Sequence, residues 1–87
     1  MKKRSQPLGN NNIIGEYVTQ LRKQKKMTQK ELAAQMQLRG VDINPSSLSK
    51  LEGQTRIATD REVRVIAEIF KISADELLNG LKMKTDL

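Results

Sequence analysis

A chain of 87 residues lies near the lower size limit for independent folding and has room for one modest core, not for an added sensing or catalytic domain. Its net charge is +6, and it contains no cysteine and no histidine, which excludes disulfide stapling, thiolate nucleophiles, Cys/His zinc sites and histidine acid–base chemistry. With one Tyr and one Phe the core has to be aliphatic, and the sequence shows neither an apolar run of about 18 residues nor a secretory-leader pattern, so no membrane is expected as a partner.

The charge is unevenly placed. Residues 1–30 carry eight Lys/Arg against one acid, Glu16, whereas residues 31–87 carry eight against nine. A single basic surface concentrates polyanions such as nucleic acid. A solvated tail plus a soluble helix face explains the same count equally well.

In chain order, residues 1–12 hold Lys2-Lys3-Arg4, Pro7, Gly9 and three asparagines with no apolar period, which predicts a flexible basic arm. Ile14, Tyr17, Val18 and Leu21 then recur at helical spacing and predict a helix over 13–25, with Lys23 and Lys25 near its C-terminal end. Thr28-Gln29-Lys30-Glu31 forms a capping box, stapled by Met27 and Leu32, that opens a helix over 29–37 burying Leu32, Ala33 and Met36. Gly40 suits that helix's C-terminal cap, and Val41 and Ile43 are placed to enter the core.

Asn44 as N-cap and Pro45 at the first position open a helix over 45–52, for which Gly53 is the expected left-handed terminator. Thr59-Asp60-Arg61-Glu62 and Ser73-Ala74-Asp75-Glu76 repeat the capping box. They open helices over 60–70, burying Val63, Ile66, Ala67 and Phe70, and over 74–79, stopped by Gly80 with Leu77, Leu78 and Leu81 inward. No segment alternates like a strand. The fold class is all-α.

The helix over 45–52 is unusual. Leu48, Leu51 and Glu52 share one face; Ser46, Ser49 and Lys50 share the opposite one. Short polar side chains with one lysine let a helix lie close to base edges in a major groove about 12 Å wide, although a plain serine-rich surface helix has the same look.

Order adds what the single helix lacks. Leu21-Arg22, Met27-Thr28-Gln29-Lys30-Glu31-Leu32-Ala33, Ser47-Leu48-Ser49-Lys50-Leu51-Glu52-Gly53, Ile66-Ala67 and Ala74-Asp75-Glu76-Leu77-Leu78 together resemble the Cro/phage-repressor-like (XRE-type) helix-turn-helix family over residues 13–81. The resemblance implies a compact five-helix bundle between the 1–12 arm and an 82–87 tail, acting as a cytoplasmic, nucleoid-associated regulator, a repressor in particular, with double-stranded DNA as partner and neither cofactor nor small-molecule ligand. It implies base reading by Pro45, Ser46, Ser49 and Lys50, with Lys50 on guanine O6/N7. It also implies backbone contacts from Thr28, Gln29, Ser47, Gln54, Thr55 and Arg56, and an ion pair of Arg22 with Glu52 that holds the recognition helix.

Residues 37–43 lengthen the turn before the recognition helix by about five residues relative to the family's usual connection, which bears on the tilt of that helix and on Arg39. The family usually works as a homodimer, and Leu81, Met83 and Leu87 serve either a dimer contact or a frayed end; Lys2 to Arg4 either follow a minor groove or stay disordered. Asp60/Glu62 and Asp75/Glu76 lie in first helical turns, where acids cap, so no catalytic pair and no metal site is expected. The alternative from another class is an antitoxin or adaptor that uses this fold to hold a protein.

Overall fold

The computed structural model describes residues 8–85, and side chains as far as residue 80. Five helices follow in chain order: α1 (Gly15–Gln24), α2 (Gln29–Leu38), α3 (Pro45–Glu52), α4 (Asp60–Phe70) and α5 (Ala74–Thr85), with no strand among the described residues. The all-α fold is thus as the sequence predicts. One aliphatic core joins them. Ile14 just before α1, Val18 of α1, Leu32 and Met36 of α2, Leu48 and Leu51 of α3, Ile66 of α4 and Leu77 of α5 are all but removed from solvent, with Tyr17 and Phe70 also buried. Truncating any of the large ones to alanine costs about 2–5 kcal/mol by the transfer and cavity terms together.

Helix starts obey local chemistry. The boxes at Thr28/Glu31 and Thr59/Glu62 close in both directions, and Asn44 accepts from the Ser47 amide at 2.8 Å. At α5 only half a box forms: Ser73 Oγ accepts from the Glu76 amide at 3.0 Å, while the Glu76 carboxylate accepts from the Tyr17 hydroxyl at 3.3 Å. Burial first, and then that carboxylate, push the Tyr17 phenol above its ordinary value.

Helix ends differ more from expectation. Gly40, expected to cap α2, adopts the left-handed conformation, φ 89°, and Ile43 is buried with Val41 packed beside the core. Gly53 does not: its φ is −78°, and the left-handed residue is Gln54, φ 60°. There the Thr55 amide reaches the Lys50 carbonyl and the Gln54 amide reaches Leu51, a six-to-one and five-to-two pair that closes α3 around a non-glycine residue. Gly80 does not stop α5, which continues to Thr85. Its lack of a side chain is needed because a Cβ there would overlap the Tyr17 ring.

In α4 the buried set is Glu62, Val65, Ile66, Ala67 and Phe70, with Val63 only half-buried, so the inward stripe is rotated from the expected one. Leu78 is exposed, and the Leu81 side chain, like Met83 and Leu87, lies outside the described residues.

The segment before α1 also departs from expectation. Gly9 to Asn12 do not hang free but are bonded along the C-terminal end of α3: the Gly9 amide donates to Gly53 O and the Asn11 amide to Gln54 O, each at 2.9 Å. Asn12 is the junction. Its Oδ1 accepts from the Ile14 and Gly15 amides, delaying α1 to Gly15, and its Nδ2 donates to Leu51 O at 3.0 Å and Arg56 O at 2.8 Å. The amino end of α1 thereby meets the carbonyl end of α3, an arrangement of opposite partial charges. Only Gly fits at residue 15, where a Cβ would crowd Leu51 O and stand 2.6 Å from Glu52 O. The expected arm residues Lys2 to Arg4 lie outside the described residues.

Candidate nucleic-acid interface

The pair foreseen between Arg22 and Glu52 forms at the centre of the helix–turn–helix. Arg22 Nε lies 2.7 Å from Glu52 Oε2, and Nη2 donates to Oε1 at 3.0 Å. Arg22 Nη1 also donates to Met27 O at 2.8 Å, and Gln29 Nε2 donates to Glu52 Oε1 at 2.9 Å. Glu52 is 1% exposed, yet no buried side-chain nitrogen or oxygen among the described residues lacks a partner. A buried charge is tolerable only when satisfied in this way. The network ties α1, α2 and the inner side of α3 together.

On the outer side, Pro45, Ser46, Ser49 and Lys50 are all exposed, and Ser47 is half-buried at the edge. The structure brings these sequence-predicted readers onto one continuous side. Thr28 is exposed at the tip of α2, its hydroxyl engaged as the cap, and Lys23, Lys25, Lys26 and Lys30 are exposed around the junction of α1 and α2. Free amides at the start of α2 and these ammonium groups make the α1–α2 junction electropositive.

Besides Thr28, four of the expected backbone contacts have side chains with internal partners. Gln29 gives one amide proton to Glu52. Gln54 turns away from α3: its Oε1 accepts from the Glu16 amide at 3.2 Å, and its Nε2 donates to Asn12 O at 2.8 Å and Gly9 O at 3.4 Å. Arg56 forms a second ion pair that sequence reasoning missed. Its Nη1 and Nη2 donate to the two Glu62 oxygens at 3.0 and 2.9 Å, Nε donates to Ser47 O at 3.0 Å, and Nη1 also reaches Ile57 O at 2.8 Å. The side chains of Gln54 and Arg56 are thus engaged within the protein, with that of Arg56 still 22% exposed. Thr55 is exposed, and its hydroxyl donates to Lys50 O at 3.2 Å.

Burial alone would raise the Glu62 carboxyl. The Arg56 hydrogen bond, the Thr59 amide and the Arg56 charge outweigh it and hold the group below the ordinary glutamate value. The signal for this pair was present in the capping box that named Glu62; nothing in spacing alone named its partner. Asn12 was missed in the same way, inside a run that reads as linker.

In the lengthened turn, Arg39 bends back to Gln35 and Leu38 stands exposed, while Val41 packs beside the core and Ile43 anchors the end of the turn. Among the described residues no group of acids is placed to hold a metal, and no helix is long and apolar enough to cross a membrane.

Two helices joined by a turn, the second with one side buried and the other bare, define a helix-turn-helix unit. The chain matches the family model for the helix-turn-helix domain over residues 15–81, most of its length, and it belongs to that family, in keeping with its XRE-type resemblance. A helix-turn-helix domain points to a DNA-binding regulator. No curated protein and no solved structure matches the chain.

Proposed function

We propose that the protein is a sequence-specific regulator of transcription, a repressor, that binds double-stranded DNA by placing α3 in the major groove. The observation that carries this reading is the division of α3 into a buried side with every polar atom satisfied and a bare side of short polar residues and one lysine. Lys50 donates to guanine O6/N7, Ser46 and Ser49 make adaptable base-edge bonds, and Pro45 offers apolar contact to a thymine methyl. Thr28, Gln29, Ser47 and Thr55 line the flanking phosphates, with the start of α2 contributing amides. One domain covers a short site, and two copies on half-sites about one helical turn apart supply the rest of the specificity.

Selection of bound duplexes from a random pool tests this. A two-fold symmetric motif is expected, with affinity falling linearly in log salt at about −0.9 per phosphate neutralised. A chain that ignores duplex DNA at low ionic strength belongs instead to the protein-binding alternative.

A further inference from the structure

The recognition helix is gripped twice. Near its C-terminal end, Glu52 is held by Arg22 and Gln29. In its N-terminal half, the Ser47 carbonyl accepts from Arg56, whose guanidinium is itself fixed in both directions by Glu62 at the start of α4. Glu62 is in turn anchored, because its Oε1 accepts from the Thr59 amide at 2.9 Å in the capping box. Side-chain exposures of 22% for Arg56 and 9% for Glu62 remove most of the water that would loosen the pair.

We propose that Arg56 and Glu62 are positioning residues: by tethering the Ser47 carbonyl to α4 they set the pitch of the base-reading half of α3, so that discrimination between DNA sequences depends on this pair. The inference rests on the DNA-reading role assigned to α3. Ser47 lies between Ser46 and Ser49, and the two grips are five residues, roughly 7.5 Å, apart along the helix axis. Without the second grip the N-terminal half of this rod, about 12 Å long, is held chiefly by the apolar packing of Leu48, which is not directional, and a pivot of about 8° carries its tip roughly 1.7 Å. Direct base contacts do not survive that, since a hydrogen bond spans only about 2.7–3.2 Å between heavy atoms. Long lysines on phosphates follow such a movement without loss. Specificity and general affinity therefore separate.

The test is the double variant Arg56→Met with Glu62→Gln. It removes the guanidinium without stranding a buried charge, keeps the acceptor for the Thr59 amide, and leaves the net charge of the protein unaltered. The variant is expected to melt cooperatively and to bind a random-sequence duplex within about twofold of the wild-type chain at equal salt, with the same salt slope. On the duplex selected by the wild-type chain it is expected to lose about tenfold or more, and its own selected motif broadens.

An unchanged motif and affinity overturn the inference and leave the pair purely structural. Equal losses on both duplexes with a shallower slope overturn it differently, by making Arg56 a phosphate ligand. Should the double variant fail to fold, Arg56→Lys keeps the charge but loses the fork; the same broadening is expected from it, and an unaltered motif overturns the inference. A wild-type chain that binds no duplex removes the DNA reading itself, and this is seen before any variant is made.

Discussion

The two sides of α3 are built on opposite terms. Inside, Leu48, Leu51 and Glu52 are almost fully withdrawn from solvent, and the single charge among them is bonded by Arg22 and Gln29. Outside, Pro45, Ser46, Ser49 and Lys50 face solvent. A residue on the first side acts through the position of the helix, and one on the second acts through what the helix touches. Substitutions on the two sides should therefore register in different measurements, stability for one and DNA affinity for the other.

The largest effect is expected from Glu52→Ala. It strands the Arg22 guanidinium, 11% exposed, and the Gln29 amide against a dry interior. Breaking a buried pair from one side costs about 3–5 kcal/mol. Urea unfolding should show that loss, a large share of the total for a domain of this size. A loss below about 1 kcal/mol would mean that water reaches the pair and that the inner side is less closed than its burial indicates.

Lys50→Ala belongs to the outer side and should leave the unfolding midpoint where it is, within about 0.5 kcal/mol. On the preferred duplex it should cost about 1–3 kcal/mol, and the base preference should relax at a single position of the site. A uniform loss on every sequence would move Lys50 from base reading to phosphate contact and break the contrast between the two sides.

The inner side of α3 was the more legible in sequence, and the reason is physical. Leu48, Leu51 and the capping residues Asn44 and Pro45 act through periodicity and through partners within a few residues, so a local pattern carries them. α3 and α4 accordingly begin and end where predicted. Arg56 and Asn12 act across loops. Asn12 bonds to Leu51 and Arg56, 39 and 44 residues away, and no periodicity marks a bond of that span. Gly53 and Gly80 show the converse hazard, since identity alone suggests a left-handed terminator at the first and a helix stop at the second. Gly53 ends α3 in a right-handed conformation with Gln54 left-handed after it, whereas Gly80 is a contact surface for Tyr17. The Arg22–Glu52 pair is also non-local, and only the resemblance to a family made it visible beforehand.

The smallest effect concerns the second grip and refines the comparison through pH. The Glu62 carboxyl is held below its ordinary value of 4.5, so the folded state favours the ionised form more than the unfolded chain does. Its contribution is then fully present above that ordinary value and is lost as pH falls through the lower, folded one. Glu62→Gln keeps an acceptor for the Thr59 amide but has no proton to take up. At neutral pH the variant should be less stable by on the order of 1 kcal/mol, the worth of charge assistance in the Arg56 bonds. The two unfolding midpoints should converge as pH drops below about 4.5 and the wild-type carboxyl becomes neutral as well. A gap that stays constant from neutral to acid pH would show that shape, not charge, is what Glu62 supplies to Arg56, and the segment between α3 and α4 would then owe its path to packing alone.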